Sequence, residues 1–408
     1  MKLEVRYLGS GEKEVVGTLL EREDGKVFFE YDGEWVNRGR ELSPIYLSNE
    51  TRGSVSTPTP LFGALYGVFS DSLPDWWGEQ LMRRFFSEQG IPWRRVTTLQ
   101  QLGCQGSFGM GALGYEPDLS DGVFRDVLTV EIGELVRGAM ELARGTAEAV
   151  VPGLLRSGLS PGGAQPKVLL GFSKNLGEVV AGGGGIPEGY DPWLLKFDLD
   201  PELELGREEY AYALMAKAAG VDMPECRLLE ADGGRAHFLV RRFDLVDGRR
   251  VHLHSYSGLT HTPVRDPIDY DAMMNVTRVL TGREPEVERL FRRAVFNVAA
   301  GNDDDHGRNH SFLMDELGEW RLSPAYDLTR TSNPLLGRVR AAAVLGKAVE
   351  VGLADLMRLG EGQGVRKVAT VIDEVVAAVK DWERWAEEAG LGRYRTGQVL
   401  EELPGMEW

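Results

Sequence analysis

Between positions 301 and 327 the chain reads GNDDDHGRNHSFLMDELGEWRLSPAYD. Asp304 is followed five residues later by an amide, Asn309, and, beyond a hairpin-like apolar run at 311–312 and 320–322, by a second acid, Asp327. Those residue types in that order fit phosphoryl transfer. A nucleoside triphosphate brings Mg²⁺, which takes hard oxygen ligands and keeps positions for phosphate oxygens and water, so one carboxylate and one amide carbonyl suffice. A further carboxylate, not ligated, orients the attacking hydroxyl and accepts its proton. Asp304 is the candidate base, and Asn309 with Asp327 the candidate metal pair. Two other readings stay open on these residues alone: a metal-dependent hydrolase built on Asp303, Asp304, Asp305, His306 and His310, and a solvated acidic loop. The preceding run RRAVFNVAA is apolar at helical spacing, which places the acids at a helix end beside a core.

Such a site needs elements that cover the phosphates and hold a cation over them. In SGLSPGGAQPKVLLGF, small residues lead straight into an apolar strand over 168–172. Glycines without a Cβ let backbone N–H groups approach phosphates closely, although Gly-Gly also makes ordinary hairpins. Gly162, Gly163, Ala164, Gln165, Pro166 and Lys167 are the candidates here. The strand WLLKFDLD then sets Lys196 among Trp193, Leu194, Leu195 and Phe197. An ammonium in that company needs a partner; phosphate oxygens are one, and an outward strand face is the alternative. The helix ELGREEYAYALMAKAAG offers Glu208 or Glu209 to orient the lysine. The strands RLLEA and HFLVRRFDL complete a sheet, with positions 240–243 suited to a hinge.

The amino-terminal stretch alternates apolar and polar residues in LEVRYLG, VVGTLLER and KVFFEYDGEWV, the pattern of a small antiparallel meander. A Ser/Thr/Pro loop, SVSTPTPLFG, follows. Asp75 is placed to cap a helix with apolar residues at Leu81, Phe85 and Phe86 that closes at Gly90. The glycines of GSFGMG imply close packing of elements, since no strand-loop-helix context supports a phosphate cradle. A second helix is expected over 130–144, and past residue 246 the pattern turns helical, ending in one long amphipathic helix, VRKVATVIDEVVAAVKDWERWAEEAG. His252 and His254 sit one residue apart on the strand VHLHSY with no acidic or thiol companion nearby in sequence.

The 408 residues, 42% hydrophobic, allow two or three packed layers. No apolar run is long enough for a membrane span, and MKLEVRYLGS lacks the apolar core of a signal peptide, so a cytoplasmic location is expected. Cys104 and Cys226 are far apart and carry neither a disulfide framework nor a zinc spacing. A formal net charge of -17 repels polyanions at long range. Local basic groups are Arg83, Arg84, Arg94 and Arg95, and Arg289, Arg292 and Arg293; each is either a solvated helix face or a nucleic-acid patch.

Glycine loop, strand lysine, helix glutamate, hinge, Asp-x₄-Asn loop and second aspartate follow one another as a two-lobed kinase requires. Over its whole length the chain resembles the HipA-family serine/threonine kinases, the toxin halves of bacterial toxin–antitoxin pairs. The matching motifs are FSDSLPDWWG, LSPGGAQPK, EYAYALMAKAAG, HFLVRRFD, NDDDHGRNHSFL and LSPAYDLT. The resemblance implies an α+β, two-lobed protein-kinase-like fold with an extra N-terminal β-rich subdomain and an all-helical C-terminal lobe. The expected parts are 1–118, the β-rich subdomain; 119–245, the N-lobe-like region; and 246–408, the C-lobe with the catalytic loop.

It further implies ATP and Mg²⁺ as cofactors, Asp304 as base, and Asn309 and Asp327 as metal ligands. His306, Gly307, Arg308, Asn309 and Tyr326 would line the nucleotide, Lys196 would contact its α/β-phosphates with Glu209 as the orienting acid, and Gly162 to Lys167 would cover the phosphates. Arg241, Arg242 and Phe243 would offer backbone groups to adenine, although the hinge reads Arg-Arg-Phe where the best-known member has an acid first. Ser160 occupies the place of the family's autophosphorylated serine. The implied substrates are aminoacyl-tRNA synthetases, glutamyl-tRNA synthetase above all, and the implied partner is a small basic HipB-like antitoxin through which DNA is reached indirectly. A small-molecule or lipid kinase on the same fold and a catalytically dead corepressor are the alternatives.

Overall fold

The computed structural model describes residues 1–11, 14–57, 64–120, 127–147, 151–158, 165–182, 186–331 and 339–404. The chain divides into two compact units, Met1–Leu199 with Leu239–His261 and Leu313–Glu319, and Asp200–Phe238 with Thr262–Phe312 and Trp320–Trp408.

The first unit begins with the expected meander. Strands β1 (Lys2–Tyr7), β2 (Glu14–Glu21) and β3 (Val27–Tyr31) pair antiparallel, with Val5 opposite Gly17 and Leu19 opposite Phe29. The third strand stops short of the expected Trp35. Asp32 Oδ1 accepts from the amides of Glu34 (2.9 Å) and Trp35 (3.4 Å), which starts helix α1 (Gly33–Asn37) instead. After the short helix α2 (Gly67–Ser70) comes α3 (Trp76–Glu88), capped as expected: Asp75 Oδ1 accepts from Gly78 N at 2.7 Å. Its inner face buries Trp77, Leu81, Met82, Phe85 and Phe86. Helix α4 (Thr98–Gln105) leads into β4 (Leu113–Glu116), which pairs with β1 to complete the order β3-β2-β1-β4. Most of the SVSTPTPLFG loop lies outside the described residues.

A second sheet holds the lysine strand. Strand β5 (Leu128–Thr129) precedes α5 (Ile132–Ala143), the helix expected over 130–144, and α6 (Pro152–Ser157). Strand β6 (Lys167–Ser173) is flanked antiparallel by β7 (Val179–Ala181) and β8 (Tyr190–Lys196), with β5 outside β7. Six of the seven β6 residues are buried, which explains a continuous apolar run in place of an alternating one.

Helix α7 (Leu205–Ala218), strand β9 (Cys226–Glu230) and the start of β10 (Ala236–Arg241) belong to the second unit, and from Leu239 to His261 the chain contributes to the first. That return comprises the hairpin β11 (Leu245–Val246) and β12 (Arg249–Arg250), then β13 (His252–Ser255) and α8 (Tyr256–Thr260).

The second unit is mainly helical. Strand β14 (Ile268–Asp269) leads into α9 (Tyr270–Thr281), and α10 (Glu284–Ala299) forms its centre, packed against α9 and a later helix. Along α10, Val287, Leu290, Phe291, Ala294, Val295 and Phe296 are fully buried, the larger ones contributing about 1.5–3 kcal/mol each. The lobe expected to be all-helical also carries short strands. The hairpin of β15 (Ser311–Met314) and β16 (Trp320–Leu322) is the one the sequence outlined, closed by Ser323 N donating to Ser311 O at 2.9 Å. Strand β17 (Ala342–Ala343) pairs in parallel with β14.

After α11 (Leu353–Gly362), the single long helix expected from periodicity is two, α12 (Val368–Lys380) and α13 (Trp382–Glu388), before α14 (Arg393–Glu402). The break at Asp381 lets Trp382 bury completely with its ring 5.2 Å from Tyr212, and Trp385 Nε1 donates back to Ala378 O at 2.8 Å. Among the described residues no helix is long and apolar enough to cross a membrane, and Cys104 and Cys226 are buried and in no disulfide.

Candidate active site

The candidate residues fall into one set per unit. In the second unit, α10 ends at Ala299 and the chain turns through Gly301 (φ +70°) into three consecutive aspartates. Their fates differ. Asp305 is fully buried and takes Tyr270 Oη (2.7 Å), Ala342 N (3.0 Å) and the Arg340 guanidinium. Asp303 Oδ1 accepts from Arg340 Nη1 at 3.1 Å. Arg340 also donates to the carbonyls of Asn297 (3.3 Å) and Asn302 (3.0 Å), so one buried guanidinium ties the loop to the helix it leaves. Burial opposes the Arg340 charge, and Asp305, Tyr270 and Asp303 more than offset it, raising its pKa.

Asp304, between the two latched acids, is solvent-exposed, and among the described residues its carboxylate takes no hydrogen bond or ion pair. Partial desolvation by the surrounding protein raises its pKa, and Asp327 and Asp305 add to that, against the opposing pull of His306. The loop is closed by its own backbone: Asp304 O accepts from His306 N at 2.8 Å, and His306 O accepts from Asn309 N at 2.8 Å. Asn309 is buried, and its Nδ2 donates to Asp304 O at 2.9 Å, which fixes the amide and aims Oδ1 away from that carbonyl. Tyr326 Oη donates to Arg308 O at 2.6 Å and lies 2.6 Å from Ser311 Oγ. Asp327 has φ +57°, a left-handed backbone that is costly for a non-glycine residue, and its carbonyl accepts from Asn302 Nδ2 at 3.2 Å.

Nothing in this arrangement supports the hydrolase alternative. Asp303 and Asp305 are turned to Arg340, and His310 is buried with burial and Arg293 holding it neutral, its pKa well below the ordinary range. Among the described residues no group of three or more His, Cys, Asp or Glu side chains could hold a metal. A Mg²⁺ site of one carboxylate and one amide oxygen is a smaller donor set. Asn309 and Asp327 fit it: both are oxygen donors, and the mutual repulsion of Asp304 and Asp327 is charge that a cation would relieve. Of the two glutamates proposed beside the lysine, Glu208 is taken by Arg330 (3.0 Å) and Arg395 (2.6 Å); Glu209 is buried on α7.

In the first unit, Lys196 stands at the end of β8, and not at its centre. Trp193 and Leu195 are buried on one face while Leu194 and Lys196 are half-buried on the other, so Trp193 and Leu195 do not surround the ammonium. Opposite it in the ladder is Lys167, and the two like charges are separated in effect because Lys167 Nζ is paired with Asp75 Oδ2 at 2.6 Å, both side chains buried. Burial raises the Asp75 pKa more than Lys167 and the Gly78 amide lower it. The Lys167 ammonium is therefore engaged at the cap of α3. Gln165 Nε2 donates to Phe197 O (3.3 Å), and Pro166, which has no N–H, gives its carbonyl to Phe197 N (2.9 Å). Gly162, Gly163, Ala164 and Ser160 lie outside the described residues.

At the hinge, Arg242 N donates to Pro192 O at 3.0 Å and its side chain is held bidentately by buried Asp244, so of its backbone groups the amide is already engaged. Arg241 pairs with Asp191 at 2.7 Å, and Phe243 is half-buried. The GSFGMG glycines supply carbonyls to Arg250 and Gly111 N to Asp244, packing as expected and not a phosphate cradle. His254 has the acidic companion that sequence did not reveal: Asp71 Oδ2 lies 2.7 Å from Nδ1, and Ser43 Oγ lies 3.0 Å from Nε2. Asp71 also accepts from Ser255 N and Oγ, each at 2.7 Å. His254 and Ser43 are fully buried, so this Asp-His-Ser series is an internal tie with no access for a substrate. The Arg83 group is a solvated helix face, with Arg83 on Glu79 and its guanidinium 4.8 Å from the Trp93 ring.

A lone acid presented between two latched ones, followed by an anchored amide and an acid past a hairpin, on a mixed helix-and-sheet body, defines a kinase-like α+β protein. The chain belongs to the HipA family: the HipA-like C-terminal domain matches residues 159–383 and the HipA N-terminal domain residues 10–116. It is 26% identical over 362 residues to "Putative kinase Y4dM" of Sinorhizobium fredii, covering 83% of this chain and 80% of the relative. A "Putative kinase" of Haemophilus influenzae is 24% identical over 258 residues, 54% of this chain and 73% of the relative. Among solved structures, a chain of the Shewanella oneidensis MR-1 toxin–antitoxin HipA, HipB and operator DNA complex matches with a TM-score of 0.69 at 17% identity, covering 98% of this chain and 94% of that one.

Proposed function

We propose that this protein is an ATP- and Mg²⁺-dependent serine/threonine protein kinase that acts in the cytoplasm as the growth-inhibiting toxin of a toxin–antitoxin pair. The observation that carries the reading is Asp304: an exposed carboxylate without a hydrogen-bond or ion-pair partner among the described residues, raised in pKa, between neighbours that are themselves tied to Arg340. A group so placed can accept a hydroxyl proton, and its basicity is set toward the working range of a general base. Asn309 and Asp327 would hold Mg²⁺, which supplies charge neutralisation at the phosphates. Lys196, with Glu209 as its orienting acid, would contact the α/β-phosphates. His306, Gly307, Arg308, Asn309 and Tyr326 would line the nucleotide, and Arg241, Arg242 and Phe243 would offer backbone groups to adenine. Gly162, Gly163 and Ala164 would cover the phosphates from a strand that Gln165, Pro166 and Lys167 anchor.

Autophosphorylation at Ser160 would place roughly two negative charges beside the nucleotide's own phosphates and silence the enzyme by repulsion. The substrate class is aminoacyl-tRNA synthetases, glutamyl-tRNA synthetase first. The relative solved with HipB and operator DNA supports a small DNA-binding antitoxin as partner, and the net charge of -17 leaves the basic surface for DNA to that partner. Residues 1–118, 119–245 and 246–408 would serve as the β-rich HipA-type subdomain, the nucleotide-covering N-lobe-like part and the catalytic C-lobe.

The test is transfer of label from γ-labelled ATP with Mg²⁺ by protein shown to be unphosphorylated at the start, beside Asp304→Ala. Label in the wild type alone, mapped to Ser160 and to an added synthetase, is the expected result. Nucleotide binding with no transfer in either protein would overturn the kinase reading in favour of a corepressor without activity.

A further inference from the structure

The second basic group of the sequence has a different setting from a nucleic-acid patch. Arg289, Arg292 and Arg293 from α10 join Arg366 around a pocket of about 270 Å³ in the second unit, with Asp222 and Glu288 in its wall. A duplex would meet those acids and Glu374 at the rim; a small anion inside the pocket would not be so repelled. Arg289 is paired with Asp222 and, at 2.6 Å, with Glu286. Arg292 holds Glu374 at 2.7 Å and Arg366 holds Glu288 at 3.0 Å. The carboxylates of Asp222 and Glu374 are half exposed, and the Arg366 side chain more so, and such pairs open readily to water.

Arg293 is the exception. It is 2% exposed, no carboxylate pairs with it, and among the described residues Nε and Nη1 have no hydrogen-bond partner. Its one hydrogen bond runs from Nη2 to Ser323 O at 2.6 Å. Burial and the neighbouring Arg289 bring its pKa down to about 10, so it stays charged at neutral pH. Asp222 acts on it only at a distance, and a buried guanidinium with no directly paired carboxylate among the described residues, lining a pocket beside the displaceable Arg292 and Arg366, is an incomplete anion site. A phosphate matches it, having about two charges and several acceptor oxygens for the guanidinium forks.

The same walls grip the segment that leads to Asp327. Glu286 Oε2 accepts from Leu322 N (3.1 Å), Arg289 Nη1 donates to Leu322 O (3.4 Å), Arg293 holds Ser323 O, and Asp222 O accepts from Ala325 N (2.7 Å). We propose that this pocket binds a small phosphate-bearing anion, inorganic phosphate or a phosphomonoester, through Arg292, Arg293 and Arg366, and that its occupancy tightens the 322–325 segment on which Asp327 is carried. Binding draws the arginines from their outer acids toward the ligand and fixes the strand end they share.

The site can be tested by calorimetric titration of the full chain with inorganic phosphate and, separately, with O-phosphoserine, in chloride buffer without nucleotide. The variants are Arg292→Gln/Arg366→Gln, both at partly exposed positions and checked for an unchanged melting temperature, and Asp304→Asn as a control at the candidate active site. Saturable binding in the wild type and in Asp304→Asn, weakened at least about tenfold in the arginine variant, is expected. The tighter of the two ligands identifies the source. Amide exchange at 322–325 should slow on saturation. No saturable binding, or equal binding by the arginine variant, overturns the site; binding with unchanged exchange at 322–325 overturns its coupling to Asp327. The binding arms do not depend on the kinase reading, so its failure and theirs are separable.

Discussion

Two groups of aspartates in this chain look alike in sequence and do opposite things. In FSDSLPDWWG, Asp71 holds His254 and Ser255, and Asp75 caps α3 while pairing with Lys167. Both are spent on ties within the first unit. In NDDDHGRNH, Asp303 and Asp305 are likewise spent, on Arg340, and Asp304 alone is left to solvent. The difference teaches where to look for chemistry in an acidic motif. A carboxylate with a donor at hydrogen-bonding distance on each oxygen is structural, and one fixed by its neighbours while lacking donors of its own is available. Rigidity comes from the latched acids and reactivity from the unlatched one.

The sharpest way to break the comparison is to swap the two behaviours. Asp304→Asn should cut phosphoryl transfer by about 10²–10⁴-fold, measured as initial rate of label incorporation, without lowering thermal stability. Arg340→Met should do the reverse in origin. It strands Asp305 as a buried charge at a cost of about 3–5 kcal/mol, read as a fall in the denaturation midpoint of the second unit. Adding Asp305→Asn should recover part of that loss, because the stranded charge is then gone; no recovery would mean that Arg340 acts through packing alone. Next in size, Lys167→Met should destabilise the first unit by up to about 3 kcal/mol through unpaired Asp75, and Asp75→Asn in the same chain should again soften it. Since the units need not unfold together, calorimetry should be fitted without assuming one transition.

The local part of all this could be read from the chain. Strands β6 and β8, the Asp75 cap of α3, and the hairpin after the three aspartates follow from periodicity and capping chemistry, which act over a few residues. The ties that decide which acid is free could not. Arg340 lies 35 positions beyond Asp305, and His254 lies 183 beyond Asp71, separations over which no spacing rule operates. Sequence neighbours also misled at Lys196, where alternation sends Trp193 and Leu195 to the opposite face. It misled again at Asp381, where a continuous apolar stripe conceals a break that buries Trp382.

The smallest expected effect bears most directly on Asp304. Its folded pKa is raised, by partial desolvation first and by Asp327 and Asp305 after it. The charged form is therefore the less favoured one in the fold. Below the unfolded carboxyl pKa of about 3.9 the group is neutral in both states and contributes nothing; as pH rises through that value the unfolded state ionises first, and a destabilisation grows until the folded pKa is passed. Wild type and Asp304→Asn should accordingly denature at the same temperature in acid, and the variant should become slightly the more stable as pH rises toward neutrality. Calorimetry over a pH series measures this. Adding Mg²⁺ should narrow the gap in part, because a cation that Asp327 and Asn309 would hold offsets the share of the shift that Asp327 contributes. A gap that stays constant across the series would mean that Asp304 carries no perturbed charge, and the contrast between its carboxylate and the latched ones would fail at its centre.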